Sequence, residues 1–154
     1  MILVVSDIHL GYENCNKKDF IDFLDSIKSI ELDHLVLLGD LFDFWRHNEA
    51  ETIIDNDDVL EKLDNLNAKK IHYVVGNHDY YMLRLNERYD NKYPFEISKF
   101  LRLEDGGKKF YFIHGYEFEV FCSEIVEMSL EDYENISENM CFNGDYQYQP
   151  YPSP

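Results

Sequence analysis

Three apolar runs in the first half of the chain each end in polar residues of one chemical kind. Met1-Ile-Leu-Val-Val-Ser-Asp-Ile-His9 runs into Asp7 and His9. Leu35-Val-Leu-Leu-Gly-Asp-Leu-Phe-Asp-Phe-Trp45 runs into Asp40 and Asp43, and Ile71-His-Tyr-Val-Val-Gly-Asn-His-Asp79 into Asn77, His78 and Asp79. Continuous rather than alternating hydrophobicity predicts short strands buried on both faces, as in a parallel sheet. Between the runs the period changes to that of a helix. Phe20, Phe23, Leu24 and Ile27 form one stripe within a helix predicted over Asn16–Ile30, with Asn16 as cap and Asp19 three residues on. Val59 or Leu60, Leu63 and Leu66 form another, within a helix over about Asp57–Asn67. Arg46–Glu51 reads as a rim loop. The order βαβαβ predicts right-handed crossovers and a parallel sheet, whose ligands gather at the strands' carboxyl ends.

Beyond the third run the pattern loosens. Tyr80–Tyr89 fits either a helix or an aromatic rim loop. Ile97–Leu103 and Lys108–His114 flank Glu-Asp-Gly-Gly and predict an antiparallel hairpin, the second strand of which ends in His114-Gly115. Val120–Met128 is a weaker helix signal, and Leu130–Met140 is polar and acidic. Phe142–Pro154 carries no strand or helix pattern, and three of its last five residues are proline.

Charge and cysteine content narrow the classes. The 154 residues carry a formal net charge of −17, with basic residues scattered singly or in pairs. That argues against binding nucleic acid, which needs clustered lysine and arginine. Cys15, Cys122 and Cys141 form no CxxC and no disulfide framework, so a reduced, cytoplasmic compartment is expected. No apolar run approaches the roughly 20 residues of a membrane-spanning helix.

Asp7, His9, Asp40, Asn77 and His114 are oxygen and imidazole donors without thiolate, a set suited to Mn²⁺ first and to Fe, Zn²⁺ or Ni²⁺ next. Asp40, at the end of the central run, could bridge two divalent ions, the standard clamp for in-line attack on phosphorus by a hydroxide held between them. His78 is placed to protonate the leaving oxygen, and Asp43 to orient and charge that imidazole. His34 and His72 read as packing or surface residues, and His47 as surface, with contact to substrate as its lesser reading. Asp79 reads as a turn support, and Trp45 with Tyr80–Tyr81 as core or a pocket lining. Asp145 is a weak substitute ligand.

Asp7-x-His9, Gly39-Asp40-x-x-Asp43, Gly76-Asn77-His78-Asp79 and His114-Gly115 together resemble the calcineurin-like metallophosphoesterases, in that family's order. Ser-Asp-Ile-His-Leu-Gly and Gly-Asp-Leu-Phe-Asp-Phe-Trp look most like its UDP-2,3-diacylglucosamine hydrolase branch. Gly-Asp-Leu-Phe-Asp is also similar to the Mre11/SbcD nucleases. The resemblance, over residues 1 to about 116, implies an αββα sandwich of two mixed sheets flanked by helices. It also implies one metal on Asp7, His9 and Asp40 and a second on Asp40, Asn77 and His114. His78 and Asp43 become the catalytic pair, acting on a phosphorylated small molecule or a nucleotide-type substrate. The family's closing Gly-His-x-His is not found, since none of the six histidines follows His114. The expectation is therefore one domain over 1–154, the amino-terminal portion of such an enzyme, with 117–154 poorly defined. A metal-binding or interaction protein with impaired turnover is the alternative, and a nuclease the third reading.

Overall fold

The computed structural model describes residues 1–88, 93–123 and 127–143. The three apolar runs are strands: β1 (Ile2–Val5), β2 (Leu32–Leu38) and β3 (Ala68–Val74), with α1 (Lys17–Ile27) on the first crossover and α2 (Glu49–Asp55) and α3 (Asp57–Asp64) on the second. After β3 come α4 (Met82–Arg88), β4 (Glu96–Ser98), the hairpin β5 (Leu101–Asp105) and β6 (Lys108–Phe112), α5 (Tyr116–Cys122) and α6 (Leu130–Asn143). One sheet has the order β1-β2-β3-β4 and is parallel throughout; the other is the β5-β6 hairpin, antiparallel. The α/β architecture of the expected fold is present, with its mixed character divided between the two sheets.

One face of the parallel sheet holds the core. Leu35 and Leu37 of β2 and Ile71 and Tyr73 of β3 pack with Phe20, Leu24 and Ile27 of α1, Val59 and Leu63 of α3, and Met82 and Leu85 of α4. Every second strand residue points this way because side chains alternate along a strand. The α1 and α3 stripes are thus core. Phe110, Tyr111, Phe118 and Phe121, on β6 and α5, are exposed.

Four sequence expectations need correction. The segment read as a rim loop holds α2, because the Asn48 side chain accepts from the backbone N–H groups of Ala50 and Glu51 and starts a helix. Ile97 is not in the hairpin; it pairs with Tyr73 as part of β4, which adds a fourth parallel strand. Asn16 stands at the α1 cap position, but its amide donates to the Asp19 carboxylate at 2.6 Å instead of capping the backbone. The weak helix signal lies earlier than expected, at Tyr116–Cys122, and the polar stretch from Leu130 is the longest helix described. Tyr89, part of Val120–Met128, Asp145 and most of the Phe142–Pro154 tail lie outside the described residues.

Candidate metal centre

The strand ends are tied together by their own backbone. Asp7 N–H donates to the Gly39 carbonyl at 3.1 Å, His9 N–H to Asp40 at 2.9 Å, and Leu10 N–H to Leu41 at 2.8 Å, while Asp43 N–H returns to Leu10 at 2.8 Å. The third turn joins through Phe44 N–H to the His78 carbonyl at 3.0 Å. Asp7, His9 and Asp40 all have positive φ, at 57°, 54° and 54°. Non-glycine residues seldom sit there, and three together at strand ends mark a place where the surrounding structure holds the backbone against its preference.

Asp79 supports these turns, as its sequence position suggested. Its buried carboxylate accepts from Leu41 N–H at 2.8 Å, from Gly76 N–H at 2.7 Å and from the Tyr73 hydroxyl. Burial, and then the neighbouring Asp40 charge, push its pKa up to about 6. Two glycines leave room for functional side chains: a Cβ on Gly39 would lie 2.2 Å from the His114 ring, and one on Gly76 would lie 2.1 Å from Asp40 Oδ1.

Asp40 is buried at the centre of the group. Its Oδ1 accepts from the His78 backbone N–H at 2.9 Å, which leaves Oδ2 facing two imidazoles. His114 Nε2 lies 3.3 Å and His9 Nε2 3.6 Å from that oxygen. Asp7 Oδ1 is 3.8 Å from His9 Nε2 and 4.0 Å from His114 Nε2. The ligand-type atoms of Asp7, Asp40 and His114 lie within 4.8 Å of one another, a grouping able to hold a metal ion. His114 Nδ1 lies 2.9 Å from the Leu38 carbonyl, and donation there fixes the tautomer with Nε2 free for a metal. This donor set and its outer hydrogen bonds fit a divalent ion. Asn77 is half-buried on the same turn, one residue before His78.

Asp43 plays a larger part than its spacing suggested. It is fully buried, with Oδ1 at 3.0 Å from His78 Nδ1 and Oδ2 at 3.1 Å from His9 Nδ1. One carboxylate therefore orients both imidazoles, whose rings meet edge to face at 4.9 Å. The link to His9 spans 34 residues and has no local sequence signature. Burial alone raises a carboxyl pKa, but the bonds from His78 and His9 and the Arg46 charge hold Asp43 well below the usual range. Burial likewise opposes a proton on His9 and His114, yet the surrounding carboxylates win, and His114 is raised to about 9. Trp45 stacks on His78 at 4.1 Å, a contact that takes it out of the plain core role.

His34 and His72 stand apart, paired with each other at 3.0 Å on β2 and β3. His47 Nε2 lies 3.6 Å from Glu51 and 3.7 Å from Asp55. A cavity of about 530 Å³ opens beside Asp7 and His9, with Phe20 and Phe23 on one wall. A larger one of about 630 Å³, near Lys69, Lys70 and Phe95, touches none of the candidate ligands.

A parallel sheet that delivers buried carboxylates and oriented imidazoles to one edge defines a metal-ligating α/β domain. The family model for calcineurin-like phosphoesterases matches residues 1–145, and the chain belongs to that family. Among similar proteins is the UDP-2,3-diacylglucosamine hydrolase of Blochmanniella pennsylvanica (strain BPEN), 29% identical over 117 residues, which are 74% of this chain and 46% of that protein. The protein of the same name from Aliivibrio fischeri (strain MJ11) is 31% identical over 118 residues, 74% of this chain and 47% of that protein. The chain spans about half the length of the curated relatives it matches. No helix among the described residues is long and apolar enough to cross a membrane.

Proposed function

We propose that the chain acts as a metal-dependent hydrolase of a phosphoester or pyrophosphate bond, using two divalent ions, Mn²⁺ first among them. The observation that carries this reading is Asp40 Oδ2, which faces the Nε2 atoms of His9 and His114 from the centre of the site. In this reading Asp7, His9 and Asp40 hold one ion, and Asp40, Asn77 and His114 the other. Such ions supply Lewis-acid polarisation of phosphoryl oxygens and lower the pKa of a water molecule. The protein's own work is positioning and proton transfer. His78, held through Nδ1 by Asp43 and braced by Trp45, presents Nε2 to give a proton to the leaving oxygen. Asp43 stabilises the charged imidazole and keeps its orientation, as an acid buried behind a catalytic histidine does.

The relatives' name supports a nucleotide-linked or other phosphorylated small molecule as substrate. The free thiols of Cys15, Cys122 and Cys141 support a reducing, cytoplasmic setting. The test is hydrolysis of p-nitrophenyl phosphate, bis-p-nitrophenyl phosphate and a nucleoside-diphosphate ester by the Mn²⁺-loaded chain, with Asp40→Asn as control. Turnover that needs both Mn²⁺ and Asp40 supports the reading. Tight Mn²⁺ binding with no turnover of any of the three would leave a metal-binding protein in its place.

A further inference from the structure

In the reading above the two divalent ions would offset the acids of the candidate centre, and the phosphoryl oxygens they do not bind still need donors. Asp7, Asp40 and Asp43 converge on one edge of a chain of net charge −17, and a phosphorylated substrate must approach that edge. Among the described residues, Arg46 is the one lysine or arginine that forms an ion pair with any of these carboxylates. It follows Asp43 by three residues and reaches Asp43 Oδ2 through Nη1. Its guanidinium lies over the Tyr12 ring, 4.6 Å from the centroid.

The simplest reading is a counter-ion for buried Asp43. That carboxylate is already engaged on both oxygens, by His78 and by His9, so its hydrogen bonding does not depend on Arg46. The arginine is in turn over-provided for. Its head is fixed on one edge by the carboxylate and on one face by the ring, while the side chain keeps 37% of its surface open to solvent. A guanidinium has five N–H donors in a rigid fork, and a pre-oriented fork with donors to spare matches two oxygens of a phosphate.

We infer that Arg46 anchors the non-reacting oxygens of the substrate's phosphoryl group, with Tyr12 holding the guanidinium in place. The inference deepens the phosphoesterase reading and rests on it for turnover, but anion binding can be measured without turnover. Asp43 is then shared between the proton-transfer pair and the anchor, and it sets the distance between them.

Titrating inorganic phosphate calorimetrically into the Mn²⁺-loaded chain, freed of excess metal, tests this directly in wild type, Arg46→Ala and Arg46→Lys. A charge-assisted hydrogen bond to a phosphate is worth roughly one to two powers of ten in affinity. Arg46→Ala should therefore weaken phosphate binding about 10- to 100-fold, and Arg46→Lys should recover part of it. Bound manganese and thermal midpoint are recorded alongside. KM for p-nitrophenyl phosphate should rise by the same factor. Unchanged phosphate affinity in Arg46→Ala overturns the inference. So does a shifted pH profile with KM constant, because Arg46 would then act only through Asp43. If a variant folds poorly, the remaining one decides, since lysine keeps the charge and loses only the fork. Wild type that binds phosphate in an Arg46-dependent way yet hydrolyses nothing would sink the phosphoesterase reading and leave the anchor standing.

Discussion

Replacing Gly39 by alanine separates the backbone's contribution to the centre from that of its side chains. Gly39 has φ of +79°, and an added Cβ would lie 2.2 Å from His114 Nδ1 and 2.5 Å from its Cγ. Two costs follow. An L-residue in the left-handed region costs roughly 1–2 kcal/mol. The imidazole must also swing away, giving up its bond to the Leu38 carbonyl, worth about 1 kcal/mol. The sum, roughly 2–3 kcal/mol, is within the usual stability of a domain, so the variant should fold. Gly106→Ala is the control: its φ is +56° and nothing lies within 4 Å of the added Cβ, so only the backbone cost applies. Urea unfolding should place Gly39→Ala below Gly106→Ala by about the value of the lost bond. Mn²⁺ affinity should fall at least about tenfold in Gly39→Ala, the usual effect of disturbing a ligand's support, and remain at wild type in Gly106→Ala. Equal stability and equal Mn²⁺ affinity in the two variants would refute the placement of His114 against Gly39.

Three further outcomes are expected. His78→Ala should keep its manganese while slowing substrates with poor leaving groups most, by about 10²–10⁴-fold; metal analysis and a leaving-group series check this, and lost metal would make His78 a ligand. Asp79→Ala should cost more than about 3 kcal/mol and release metal, because Leu41 N–H, Gly76 N–H and the Tyr73 hydroxyl lose one buried acceptor; urea unfolding with metal analysis measures both. For pH, His114 in the metal-free chain is raised from 6.5 to about 9, so its contribution to stability is complete below pH 6.5 and is lost as pH rises through 9. Mn²⁺ needs the unprotonated ring, so affinity should rise over the same window. Melting in chelator and in Mn²⁺ across it should give opposite trends.

The parallel sheet was legible because burial on both faces writes continuous apolar runs, and the candidate site stood out because each run stops at carboxylate, imidazole or amide side chains. Asp40 and Asp79 could be assigned their places from that alone. The links between turns could not. His9 and His78 meet on Asp43 only because β1, β2 and β3 lie side by side, a fact of topology that no local window contains. The helix after Arg46 was missed although its signal was present: Asn48 with Glu51 three residues later is a capping pair, hidden by the polarity of the segment. Ile97 was misread because alternation does not say which neighbour a strand will choose, and β3 offered a free parallel edge. Arg46 and Tyr12 carry no motif, and their pairing is visible only in three dimensions.

Whether Asp40 is shared between two ions can be read by anomalous diffraction at the manganese edge from Mn²⁺-loaded crystals. Two peaks about 3.5–4 Å apart are expected, with an Asp40 oxygen within coordination distance of both, His9 at one and His114 at the other. A single peak, or a pair of which Asp40 touches only one, would contradict the sharing.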